Sequence, residues 1–343
     1  MKLNALALLT CFFFACSTPQ TKEKVEITEK ENTVLEENDK GIREIPIKTD
    51  RGTFKVWTKQ VGANPDKRVL LLHGGPGGTH EFFTCFENYF PEENIEYILY
   101  DQLGSFHSDQ PSDTALWTNY RFVEEVEQVR QALGLDSTNF YLYGQSWGGI
   151  LGMEYALKYQ EHLKGLIISN MVSDIDGYCK YAKEELGPKL PPEVFEEVMK
   201  LEEAGDFGER YANLLNEHYY TRHILRKPLD QWPEEAMNAF NNLNPEVYIY
   251  MQGHSEFGIT EGATLEGWSV SNRLKEIYRP TLCIGATYDT MDPKHMEWMS
   301  TEVQKGRFLL CENGSHLSQY DDPEHFFPGL ISFINDVDAG ELD

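Results

Sequence analysis

The sequence predicts an α/β fold: a mostly parallel sheet flanked by helices, with a helical lid inserted late in the sheet. Three observations carry this. Short apolar runs at 68–72, 95–100, 140–143, 166–169, 281–285 and 307–311 alternate with helical stretches. Several of these runs are apolar at consecutive positions, as strands buried on both faces must be. The alternation then lapses between residues 174 and 279, where only helical patterns occur.

The elements can be justified in order. Lys2, the apolar run from Leu6 to Phe14 and Ala15-Cys16-Ser17 form a short charged start, a core too short to span a bilayer and a small-residue cut site. Phe13-Phe14-Ala15-Cys16 resembles a bacterial lipobox, which makes Cys16 the expected lipidated residue, with Cys11 or a plain secretory signal as alternatives. The expected location is outside the cytoplasm, on the periplasmic or cell-surface side of a membrane. Residues 17–40 are polar, lack apolar periodicity and read as a tether.

A hairpin follows, its alternating arms at 42–49 and 53–60 joined by Asp50-Arg51-Gly52. The core is then expected over 41–173 and 280–337, with an acidic tail at 338–343. Residues 120–133 place Phe122, Val123, Val126 and Val129 on one helical face and glutamates on the other. Within the lid, helices are expected at 178–186, 192–204, 207–225, 233–241 and 245–252. Late helices are expected at 295–303 and 323–337.

Of 343 residues, 41% are hydrophobic, ample for a core. A formal net charge of −26 argues against nucleic acid and anionic membrane surfaces as electrostatic partners. Cys85, Cys179, Cys283 and Cys311 lack metal-ligand spacing and read as small buried hydrophobes, though an exported chain could pair two of them. No metal or dinucleotide fingerprint is present, so no cofactor is expected.

The chemistry centres on Gly144-Gln145-Ser146-Trp147-Gly148, a G-x-S-x-G turn between the 140–143 strand and a helix. A serine on so sharp a turn needs neighbours without Cβ atoms, and it meets the positive end of the next helix. Ser146 is the expected nucleophile. His73-Gly74-Gly75-Pro76-Gly77-Gly78 follows another core strand, where backbone N–H groups of Gly74–Gly75 could join the Trp147 N–H as an oxyanion hole. A serine needs a base, and the base a carboxylate. Asp289 follows the 281–285 strand, and His316 follows the last one, giving the chain order Ser, Asp, His. Asp292 reads as a helix cap, and His73, His107, His254 and His325 as structural or surface residues.

These segments, with Tyr100-Asp101-Gln102-Leu103-Gly104-Ser105 and Gly314-Ser315-His316-Leu317, resemble the proline iminopeptidase family of α/β-hydrolases over residues 41–337. The resemblance implies an α/β-hydrolase fold and a serine aminopeptidase that removes N-terminal residues, preferably proline, from short peptides. Related esterases, amidases or lactonases remain the alternative. It also implies substrate contacts at Gly74 and at a lid glutamate that holds the α-ammonium group. Met251-Gln252-Gly253-His254-Ser255-Glu256-Phe257 points to Glu256, and Glu217 is a second candidate. Trp147, Phe106 and lid tyrosines are candidates for a slot around a pyrrolidine ring.

Overall fold

The computed structural model describes residues 41–342; the expected signal segment, Cys16 and the tether lie outside the described residues. In chain order the strands are β1 (Ile42–Thr49), β2 (Gly52–Val61), β3 (Arg68–Leu72), β4 (Glu96–Asp101), β5 (Phe140–Gln145), β6 (Gly165–Ser169), β7 (Thr281–Ala286) and β8 (Gly306–Cys311). They form one sheet in the order β1-β2-β4-β3-β5-β6-β7-β8. β1, β2 and β4 pair antiparallel, and every pairing from β4 to β8 is parallel.

The first helices are α1 (Asn119–Ala132) and α2 (Trp147–Tyr159). Between β6 and β7 come α3 (Ile175–Tyr181), α4 (Pro192–Glu203), α5 (Glu209–Leu215), α6 (Thr221–His223), α7 (Glu234–Asn241) and α8 (Pro245–Met251). The chain closes with α9 (Pro293–Glu302), α10 (Ser318–Asp321) and α11 (Pro323–Asp338). Among the described residues no helix is long and apolar enough to cross a membrane.

Consecutive apolar residues in the strands serve two cores. Leu70 and Leu72 of β3 cluster with Phe122 and Val126 of α1 and Ile150 of α2 on one face. Val69 and Leu71 cluster with Phe83, Phe86, Phe326 and Phe327 on the other. Each fully buried side chain of this size contributes about 1.5–3 kcal/mol of transfer free energy. The segment between β6 and β7 has a cluster of its own, built from Leu186, Val198, Tyr211, Leu214, Leu215, Tyr219 and Phe257 among others.

The structure departs from the sequence reading at several places, among them the four that follow. β5 continues through Gly144 and Gln145 instead of stopping at the glycine, because Gly144 pairs with Leu72 and Gln145 with Ser169. β4 begins at Glu96, since the Ile95 N–H closes the preceding loop on the Phe90 carbonyl at 3.0 Å. The helix expected over 207–225 is divided by a π-helical turn at Asn216–Tyr220. Asp338, expected in an acidic tail, ends α11 and pairs with Lys67 at 3.2 Å and Lys164 at 2.5 Å.

Candidate active site

Ser146 lies between β5 and α2 at φ 54°, ψ −126°. A non-glycine residue held there costs on the order of 1–3 kcal/mol, which the surrounding structure must offset. The packing shows why both flanking glycines are required. A Cβ on Gly144 would lie 2.0 Å from the Gly148 carbonyl oxygen, and one on Gly148 would lie 2.1 Å from that of Leu72. The Ser146 hydroxyl makes no capping bond to α2, and Ser146 lines a cavity closed by side chains of the inserted segment.

His316, on the loop after β8, lines the same cavity. Its Nδ1 lies 2.8 Å from Asp289 Oδ1, on the loop after β7. Asp289 is fully buried, and its side-chain oxygens accept from several donors. Asn170 Nδ2 donates to Oδ2 at 2.7 Å, and the Met291 N–H donates to Oδ1 at 3.1 Å. Asn170 follows β6 at φ 54°, a left-handed conformation that asparagine adopts more readily than most residues. With Nδ1 committed to Asp289, the His316 Nε2 is left as the acceptor, the tautomer a general base needs.

The glycine loop after β3 completes this edge. Gly74 is so close to Ser146 that a Cβ there would sit 2.9 Å from the serine Cβ. No backbone hydrogen bond among the described residues engages the N–H groups of Gly75 and Trp147. His73 is buried without a charge partner in contact, and burial lowers its pKa to about 4. Its neutral Nε2 accepts the Gln102 N–H at 3.1 Å, and the Gln102 side chain bridges the His73 carbonyl to the Trp147 indole N–H. His73 therefore braces the loop and is no base.

Across the cavity stands Glu256, the single carboxylate among the lining side chains. Tyr220 and Tyr248 donate their hydroxyls to its Oε1 at 2.7 and 3.2 Å. Its backbone is fixed too, the N–H donating to the Tyr211 hydroxyl at 3.3 Å. Enclosure by the cavity walls raises its pKa above the ordinary glutamate value, against the pull of the two tyrosines and of His316. A carboxylate so enclosed favours a cationic partner.

Known proteins match this chain in fold and family over most of its length. Residues 67–323 match the family model for the α/β hydrolase fold. A proline iminopeptidase of Flavobacterium johnsoniae is 54% identical over 300 residues, covering 87% of this chain and 100% of that one. The chain belongs to the proline iminopeptidase family. Another family member, from Elizabethkingia meningoseptica, is 54% identical over 86% of this chain and 98% of its own. The solved structure of the Mycobacterium smegmatis proline iminopeptidase superposes with a TM-score of 0.77 at 28% identity, covering 88% of this chain and 99% of that one.

Within this family member the expected residues do not all converge. Ser146, His316, Gly74, Gly75, Trp147 and Glu256 line one cavity, with Asp289 directly behind His316. Glu217 does not join them. Its side chain is 77% exposed beside His218, because the π-helical turn that carries Tyr220 inward leaves Glu217 on the outer surface. Phe106 is also absent from the lining; its ring packs tilted against His107 with centroids 3.9 Å apart. His254 stacks on Phe207, and His325 pairs with Asp322 at the surface. Asp292 caps α9 as expected, and the cysteines among the described residues are free. Sequence reasoning missed Asn170 and Gln102, and it had the lid tyrosines only as ring-slot candidates, not Tyr220 and Tyr248 as donors to Glu256. Of these, only Gln102 stood inside a segment that carried the family resemblance.

Proposed function

We propose that this chain is a serine aminopeptidase that releases N-terminal residues, preferably proline, from short peptides through an acyl-enzyme. The observation that carries the proposal is Glu256, an enclosed carboxylate facing the cavity that Ser146 and His316 also line. The names of the relatives support the preference for proline.

The substrate's α-ammonium group pairs with Glu256, which sets the first peptide carbonyl over Ser146. Ser146 Oγ attacks while His316 Nε2 takes its proton, and Asp289 holds the imidazolium through Nδ1–H. The N–H groups of Gly75 and Trp147 receive the oxyanion, each such donor being worth roughly 10²–10³ in kcat. His316 returns the proton to the leaving amine, and the shortened peptide departs. Water then attacks the acyl-enzyme by the same route, freeing the amino acid and restoring Ser146. A neutral ester substrate would leave Glu256 with no cationic partner, which favours the aminopeptidase reading over the esterase one.

A panel of chromogenic aminoacyl amides, N-acetylated amides and simple esters tests this. Prolyl amide with a free N-terminus should be cut fastest. Equal cleavage of the acetylated amide removes Glu256 from the mechanism and favours the esterase reading.

Attachment to a membrane through lipid on Cys16, after export, is part of the same reading and rests on the Lys2-to-Ser17 pattern. Mass spectrometry of the mature N-terminus decides it: an acylated Cys16 supports it, and a free N-terminus further along the chain rejects it.

A further inference from the structure

Residues 220–226, from the end of the π-helical turn into the loop before α7, touch Glu256 and the loops that carry Asp289 and His316. The Tyr220 hydroxyl reaches Glu256. The His223 and Ile224 carbonyls accept the N–H groups of His316 and Leu317 at 3.0 and 2.9 Å. The Ser315 hydroxyl adds a bond to the Ile224 carbonyl at 2.9 Å. The Arg226 N–H meets Asp321 at 2.9 Å, and its Nη1 meets the Asn313 carbonyl at 2.8 Å. All of these hold the loop that carries His316.

His223 adds a second loop to the first. Its Nδ1 lies 2.8 Å from the carbonyl oxygen of Tyr288, the residue before Asp289. A carbonyl only accepts, so Nδ1 carries the proton and donates it. Burial holds His223 below its usual pKa, which favours the neutral ring. Outside it, the Arg226 guanidinium lies over the Tyr288 ring at 3.5 Å. One short piece of the inserted segment thus grips the acid's loop by side chains and the base's loop by its backbone and the Arg226 side chain.

We propose that His223 is a positioning residue for the hydrolytic reaction: through the Tyr288 carbonyl it fixes the Asp289 loop to the same segment that holds His316. The proposal rests on the triad reading above. It gives residues 220–226 a second task besides supporting Glu256, so the seating of the inserted segment sets the register of the acid–base pair. The 2.8 Å contact of His316 with Asp289 depends on two loops with no covalent connection near the site. The two loops also meet directly, the Tyr288 N–H donating to the Gly314 carbonyl at 3.1 Å, and the His223 side chain adds a second tie by way of the Tyr288 carbonyl.

The test compares His223→Leu, His223→Asn and Arg226→Gln with the wild type on a free prolyl amide and on a small neutral ester, with melting curves as the check on folding. Asparagine can present its Nδ2 near the position of the histidine Nδ1, whereas leucine has no donor. For His223→Leu, kcat should fall about tenfold on both substrates, the size of one lost hydrogen bond, with KM within about twofold. His223→Asn should recover to within about threefold of wild type. Arg226→Gln, at an exposed position, should lower kcat by roughly two- to fivefold on both substrates and decides the matter if the leucine variant does not fold. Wild-type kcat in folded His223→Leu overturns the proposal, as does a loss seen only in KM or only with the ammonium substrate. So does an asparagine variant no better than leucine, or an unchanged Arg226→Gln. Ser146→Ala, assayed alongside, separates this from the triad: an active Ser146→Ala enzyme refutes the triad itself, whatever His223 does.

Discussion

The carboxyl edge of the sheet and the segment inserted between β6 and β7 hold their functional groups in different ways. At the edge, Ser146, Asp289 and His316 sit on loops directly after β5, β7 and β8, whose parallel pairing fixes the distances among the loop origins. In the inserted segment Glu256 lies in no helix or strand and is held by tyrosines from separate elements, Tyr220 from the π-helical turn and Tyr248 from α8. The sheet edge supplies chemistry that any acyl substrate would meet. The inserted segment supplies a contact that only a cationic substrate would use. Substitutions should therefore separate into losses that ignore the substrate and losses that depend on it.

The largest expected effect belongs to the edge. Ser146→Ala should lower kcat by roughly three to six orders of magnitude on amides and esters alike, with the melting temperature near that of wild type. Asn170→Gly keeps the positive φ but removes the donor to Asp289; kcat should fall about a hundredfold, again on every substrate. Steady-state kinetics with one amide and one ester check both. An Asn170→Gly enzyme impaired only on the amide would contradict the division between the two regions.

Glu256→Gln comes next and should be selective. A charge-assisted contact of about 1.5–3 kcal/mol corresponds to one to two decades in kcat/KM for free aminoacyl amides, with esters spared. The same substitution should change stability with a definite sign. The folded protein holds Glu256 above its ordinary pKa, so the burden of its ionised form is absent at pH below the ordinary glutamate value and grows as pH rises through the raised one. Glu256→Gln should therefore melt roughly 2 °C higher at pH 7 and show no gain near pH 4 by scanning calorimetry. The smallest effect is expected at Glu217, whose exposed side chain lies outside the cavity; Glu217→Ala should stay within about twofold of wild type on all substrates.

The same division explains what could be read from the sequence. Gly144, Ser146 and Gly148 announce themselves because a steric requirement restricts residue type at fixed spacing: a Cβ at Gly144 or Gly148 would lie only 2.0 or 2.1 Å from a backbone carbonyl oxygen. The strands were legible because a doubly buried strand must be apolar at successive positions. Glu217 and Glu256 were not separable in the same way. Both are glutamates among aromatic residues, and only a π-helical turn, which leaves no periodic mark, turns Tyr220 inward and Glu217 out. Asn170 carried no signal at all, since its partners Asp289, Ser315 and Ser318 are remote in the chain.

On the proposed aminopeptidase reading, Glu256 converts a general serine-hydrolase edge into one that requires a free N-terminus. The direct measurement is the ratio of kcat/KM for prolyl amide to that for N-acetylprolyl amide, taken in wild type and in Glu256→Gln. The wild-type ratio should fall by about one to two decades in the variant, with the value for the acetylated substrate unchanged. A ratio that is the same in both enzymes would contradict it.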